Sequence, residues 1–269
     1  MAIESDLKPL LAHVVPFTLV MFRLAGLFLL APTISSALIP GRYKALLTAM
    51  MAASAYPLVA SGLNPPEVIT LMDLVPLIAS EALIGLCIGA IAALPLLSIE
   101  MSGVIMGQSM GFGLAQVYNP ESNADSEVLG QLLFYIAAGV FAAVGGVDQL
   151  FGGILKSFHT LPIGAFGMNQ APMELFIRTL TSGMELALRV SLPVVAISFL
   201  LMIVLGIVGK TMPQLNIMSV GFTFKILAGL GILVFATTAL YEATGDEIVR
   251  VLSQTLRWLS GLPQGEAHG

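Results

Sequence analysis

The sequence predicts an all-α, polytopic membrane protein made of long, kinked helical hairpins. Three observations lead there. Hydrophobic residues make up 57% of the 269 positions and charged residues only 10%, and the mean hydropathy of +0.95 lies far above that of water-soluble domains. The apolar residues gather in successive stretches of helical length, divided by Pro, Gly and Asn turn signals. Within those stretches glycines recur four apart, which bares one helix face and lets another backbone approach closely.

The first apolar segment runs from about Val14 to Ala31, with Pro16 near its start and Arg23 at its middle. An arginine there costs about 2.5–3.5 kcal/mol or more in lipid unless it faces protein or water. Arg23 is therefore expected to be partnered, to snorkel, or to line a conduit. Ahead of it Glu4 and Asp6 outweigh Lys8, the wrong sign for a cleavable signal, so the segment is expected to stay in the mature chain. Pro32, Pro40 and Gly41 bracket a turn followed by Arg42 and Lys44, and a second segment extends from Ala45 to Ala60. Asn64-Pro65-Pro66 marks a loop, after which Thr70 and Asp73 stand at capping-box spacing.

The third segment, about Leu74 to Ile99, carries Glu81, Gly85 and Gly89 four apart, placing a carboxylate and two close-packing positions on one face. That face is expected to meet another helix or chain, with Glu81 paired or water-facing and Glu100 ending the segment. The stretch from Met101 to Asp125 suits neither a lipid-facing helix nor a water-facing loop. Gly103, Gly107 and Gly111 again lie four apart, while Met101, Met106 and Met110 supply the flexible, polarizable side chains that seal irregular surfaces. After Gly111 the pattern gives way to Phe112, Gly113, Leu114, Ala115, Gln116, Val117 and Tyr118, and Asn119-Pro120 should end any helix. The expectation is a helix that breaks into a bulky apolar loop. Irregular backbone at membrane depth requires enclosure in protein or a cavity to line.

Acidic residues from Asp125 to Glu127 suit the start of a fourth segment, Val128 to about Val144, which Gly145-Gly146 breaks. The region holding Gly152-Gly153, Lys156 to Pro162 and Gly164 reads as too polar and interrupted for a span, with His159 as a loop or interface residue. A fifth segment, about Pro172 to Val208, is too long for one straight span. Pro193 is expected to kink or divide it, and Glu185 and Arg189 pair at i, i+4. Lys210 to Lys225 mixes polar and apolar residues before a short sixth segment, Ile226 to Leu240. From Tyr241 to Leu259 the apolar Ile248, Val251, Leu252, Leu256 and Leu259 recur at helical spacing. A single domain over 1–269 is expected, with a disordered tail over 261–269.

Several function classes drop out. A net charge of −5 without a basic run offers nucleic acid no electrostatic footprint. The lone Cys87 excludes an internal disulfide framework. There is no phosphate-cradling GxxxxGK[ST], no HExxH and no Cys/His cluster, so neither a metal nor a cofactor is expected. Gly107-Gln108-Ser109-Met110-Gly111 has the letters of a nucleophile elbow without the strand-turn-helix context it needs, and the chain is not read as an enzyme. Arg42 and Lys44 favour a cytoplasmic first turn, but Lys156, Arg178, Lys210 and Lys225 do not all fall on loops consistent with that. Much of the surface is therefore expected to be buried against partner subunits. Arg23, Glu81, Gly85, Gly89, Glu185, Arg189, Lys210 and Lys225 are the candidate interface or buried polar positions.

With these residues in hand, the chain resembles the FliR family of the flagellar type III protein export gate. Four stretches carry the resemblance: Pro16-Phe17 with Arg23 and the Pro32 to Arg42 turn; Glu81 to Asn119-Pro120; Ser157-Phe158 with Leu161-Pro162-Ile163-Gly164; and Met212-Pro213-Gln214-Leu215-Asn216 with Gly221-Phe222 and Lys225. Thr223 stands where the family often has Pro, and Val147-Asp148 where it often has His. The related injectisome subunit is a near neighbour. The resemblance implies a helical, cone-like gate formed with FliP and FliQ, with FlhB around its base and FlhA beneath. It also implies exported flagellar proteins as cargo, membrane lipid as a neighbour, and the bacterial inner membrane at the basal body as location. It further implies that Gly111 to Asn119 project into the pore as a plug, with Met101, Gly103, Met106, Gly107 and Met110 as gasket and close-packing positions around it.

Two other readings compete. A proton-coupled secondary transporter would use Glu81, Glu185 or Asp148, and should display an internal repeat with matched broken helices, which is not evident. A purely structural scaffold would tolerate free replacement of the plug residues.

Overall fold

The computed structural model describes residues 2–32, 40–59, 71–112, 128–161, 163, 173–212, 214 and 217–259. The expected loop at 64–66, the plug beyond Phe112 and the 261–269 tail lie outside them. All regular structure among the described residues is helical: α1 (Ala2–Leu30), α2 (Gly41–Val59), α3 (Leu71–Met110), α4 (Val128–Ala143), α5 (Gly146–Thr160), α6 (Met173–Thr211), α7 (Ile217–Phe235) and α8 (Thr237–Leu259). Three of them, α1, α3 and α6, are long and apolar enough to cross a membrane, or up to five spans result if the bent pairs α4–α5 and α7–α8 each count as one. With 40 residues in α3 and 39 in α6, each rises about 60 Å, roughly twice the hydrocarbon thickness of a bilayer. Each is therefore longer than one bilayer crossing requires.

Several expected boundaries move. The first helix starts at Ala2, well before Val14. Glu100 does not end the third segment; α3 runs through it to Met110, because four-apart glycines do not break a helix whose bare face is packed. Gly152-Gly153 likewise lies inside the continuous α5. There the space a Gly153 side chain would fill is occupied by Leu256 of α8, 2.8 Å from the Cβ position. Pro193 sits within α6 without dividing it. The last apolar segment is α7, starting at Ile217 rather than Ile226, and the chain bends by 60° before α8. The expected break at Gly145 is present, with that residue in the left-handed region at φ 71°.

Packing divides the chain into two compact units, residues 1–93, 145–178 and 249–269 in one, 94–144 and 179–248 in the other. In the first unit α1 packs on α2, where His13 Nδ1 lies 2.9 Å from Tyr56 Oη and Phe17 meets the same ring edge-on. Its core takes Leu19, Val20, Leu24 and Leu27 from α1 and Ile84, Ile88 and Ile91 from α3. Ile91 also clusters with Leu175 and Val251, flanked by Phe176 and Trp258. In the second unit Ile99, Met106 and Met110 of α3 are buried along with Leu133, Ala137 and Phe141 of α4 and Ala187 and Val194 of α6. Ser182 donates to the buried Glu247 at 2.9 Å within that unit.

Candidate functional site

In the first unit the site is built on Arg23, which is wholly buried. It reaches that depth because α1 and α3 approach backbone to backbone. Gly26 lies against the Ala82 carbonyl, and Gly85 against the Arg23 carbonyl with Leu27 N 2.8 Å from its Cβ position. Gly89 continues the contact, its Cβ position 2.7 Å from the Leu27 carbonyl. Glu81, one turn before Gly85 and equally buried, is thereby brought beside the arginine. Arg23 Nε donates to Glu81 Oε2 at 2.5 Å, Nη1 to Ser157 Oγ at 3.0 Å, and Nη2 to the Leu161 carbonyl at 3.1 Å. The guanidinium carbon stands 4.2 Å from the centroid of the Phe158 ring, a cation–π contact. The Ser157 hydroxyl donates a hydrogen bond to the Ile154 carbonyl at 2.6 Å, leaving its oxygen lone pairs to accept from Arg23. Ser157, Phe158 and Leu161 all belong to the C-terminal end of α5, where partial negative charge collects on the last carbonyls and favours a cation. Arginine's planar fork of donors suits such a multi-partner pocket; a lysine has no equivalent geometry.

A second site closes α3 in the other unit. Gly111 takes φ 98°, its N–H donating to the carbonyls of Gly107 and Gln108 at 3.1 Å each, while the Phe112 N–H donates to Gly107 at 3.1 Å. This is a Schellman cap, which requires a left-handed residue and satisfies helix-end carbonyls without water. Glycine is needed here twice over. A Cβ at 111 would stand 2.5 Å from Cε1 and 2.7 Å from Cδ1 of Phe222 on α7. Met110, fully buried, fills the missing side chain of Gly229, with Sδ 2.9 Å and Cγ 3.0 Å from its Cβ position. Upstream, Gly103 meets the backbone of Leu129 and Gly130, so α3 and α4 also touch main chain to main chain. Ser109 donates to the Met106 carbonyl at 2.8 Å inside the helix, an arrangement unrelated to a nucleophile elbow.

A profile of the bacterial export proteins, family 1, matches residues 14–251. The chain belongs to this family, that of FliR. It is 28% identical over 250 residues to the flagellar biosynthetic protein FliR of Bacillus subtilis, covering 91% of this chain and 95% of that one. It is 26% identical over 216 residues to FliR of Escherichia coli, with 79% and 80% covered. It is also 24% identical over 242 residues to the Yop proteins translocation protein T of Yersinia pestis, with 88% and 90% covered. Described residues from each of the four stretches that mark the FliR resemblance take part in the two clusters just described. Arg23, Glu81 and the Ser157 to Leu161 string meet around the guanidinium; Met110-Gly111 and Gly221-Phe222 meet at the end of α3.

The other expected positions are distributed differently. Gly107 and Met106 are buried within α3, whereas Met101 is 55% exposed. Glu185 and Arg189 form their i, i+4 pair at 2.7 Å, but on an open face of α6 in the single chain, as do Glu174 and Arg178. Lys210 is exposed in the last turn of α6, where a cation suits the helix end, and Lys225 is half-buried in α7. Of the plug, Gly111 and Phe112 are described; Gly113 to Asn119 lie outside the described residues. Gly26, Gly130, Ser157 and Gly229 escaped the sequence reading as functional positions. A glycine or serine on an apolar helix carries no local mark of the neighbour it accommodates.

Proposed function

We propose that this chain is a non-enzymatic core subunit of a bacterial protein export gate, forming part of the pore for unfolded flagellar proteins with FliP and FliQ. FlhB and FlhA are its further partners, in the inner membrane at the flagellar basal body. Gly111 to Asn119 act as the plug, and Met101, Gly103, Met106, Gly107 and Met110 as the surrounding gasket. The observation that carries this reading is the end of α3. A helix lined with glycine and methionine stops at a left-handed glycine just before a run of apolar residues, and its last turn is held by α7. Apolar bulk joined to a firm support blocks an aqueous path through non-directional contacts, so a passing chain of any sequence meets no bond specific to it. The uncovered apolar face of α6, with Leu188, Leu192, Phe199 and Ile203 all exposed, supports a chain that functions within an assembly or lipid rather than alone.

Deleting Gly111 to Asn119 in the assembled complex is expected to make membranes leaky to small solutes while the tagged chain still co-purifies with two other small hydrophobic proteins. Unchanged permeability counts against the plug. Recovery of the intact chain as a lone monomer counts against the gate.

A further inference from the structure

The contact between α3 and α7 has a feature that close packing alone does not explain. Phe222 and Gly229 are seven residues apart, which puts them on one face of α7. Both are turned on consecutive residues at the very end of α3: the Phe222 ring on Gly111, and the Gly229 recess on Met110. The ring occupies the side-chain position of the one residue whose left-handed backbone sets the direction in which the chain leaves the helix. Met110 meanwhile cannot withdraw from Gly229 without exposing a fully buried thioether. Gly221, beside Phe222, receives Leu205 of α6, whose Cδ1 lies 2.9 Å from its Cβ position, so the ring's own base is braced.

We propose that Phe222 is a positioning residue for the plug: with Gly229 it holds the last turn of α3 fixed on α7, so that this turn stays docked while protein passes through the gate. This rests on the plug reading above. The geometry provides a direct test. A Cβ at 229 would lie 3.0 Å from Met110 Cγ, and with one further bond of about 1.5 Å the two Cβ atoms stand within about 4.5 Å, inside the range a disulfide spans. In the full complex, on a Cys87→Ser background, Met110→Cys with Gly229→Cys is expected to cross-link on oxidation. Oxidised and reduced forms of that one variant are expected to export substrate at equal rates. Export that stops on oxidation and returns with reductant would overturn the proposal, because the turn would then have to leave α7 during passage.

Phe222→Ala provides the second arm. Complexes recovered in normal yield are expected to leak small solutes several-fold faster than the parent, a readout that a purely structural role in assembly would not move. A leak equal to the parent's overturns the positioning role. If the Gly111 to Asn119 deletion leaks and Phe222→Ala does not, only the anchor fails; if the deletion itself does not leak, the plug reading fails and the anchor with it.

Discussion

Arg23 and Met110 are both fully buried, and both sit where a glycine lets helices close on one another, yet they are held by opposite chemistry. Around Arg23 every contact is directional: a carboxylate, a hydroxyl, a carbonyl and a ring face each fix one angle of the guanidinium. Around Met110 none is, because the thioether simply fills the recess at Gly229. A charged network has one satisfied arrangement and a steep penalty for leaving it. A methionine in a glycine recess is held by shape and burial alone, with no bond angle to satisfy. The first contact fixes orientation through charge, and the second fixes position through fit.

The sharpest way to break this comparison is to remove the charge. Arg23→Ala takes away the cation that Glu81 faces in a buried site, and is expected to destabilise the solubilised complex by about 3–5 kcal/mol, seen as early thermal unfolding or loss of the chain from the complex. Replacing both Arg23 and Glu81 by leucine is expected to recover most of that loss. A double variant as unstable as the single one would mean that the loss of Arg23 as a partner for Glu81 is not the cause.

A second, smaller contrast compares glycines. Gly85→Ala would press on the backbone of Arg23, which cannot yield, and is expected to cost about 1–3 kcal/mol or more. Gly229→Ala meets the side chain of Met110, whose flexible end can shift, and is expected to cost less, near the lower end of the about 1–3 kcal/mol typical of overpacking. Equal thermal shifts for the two would erase the distinction between rigid and adaptable contact. The smallest effect belongs to Glu185→Gln, which removes a pair with both side chains more than two-thirds exposed. It should change the stability of the isolated chain by about 0.3–0.5 kcal/mol. A much larger loss measured in the complex would show that a neighbouring subunit covers that face.

Much of the architecture was legible in advance. Apolar segment lengths foretold helices, Gly145-Gly146 foretold a break, and the change of composition after Gly111 foretold where α3 gives way. Arg23 and Glu81 stood out because ionised groups in apolar helices demand partners. Their mutual pairing was not legible, since 58 residues separate them and no periodicity encodes a contact between helices. Other misreadings are local ones. Gly152-Gly153 looked like a stop because glycine's helix propensity is poor, and Glu100 because a charge follows a long apolar run, although glutamate is itself a good helix former. In the fold, packing outweighs propensity wherever a neighbour fills the space a glycine leaves, as Leu256 does at Gly153.

Sealing a helix end with sulfur has a chemical consequence. Methionine is open to oxidation, and its sulfoxide is polar, chiral and larger by one oxygen. The recess at Gly229 already holds Sδ within 2.9 Å of the missing Cβ and has no room for that oxygen. Complete burial of Met110 is therefore also its shield against peroxide. Met101, more than half exposed in the single chain, has no such protection, so oxidation should reach Met101 before Met110 and spare the residue that packs into the Gly229 recess.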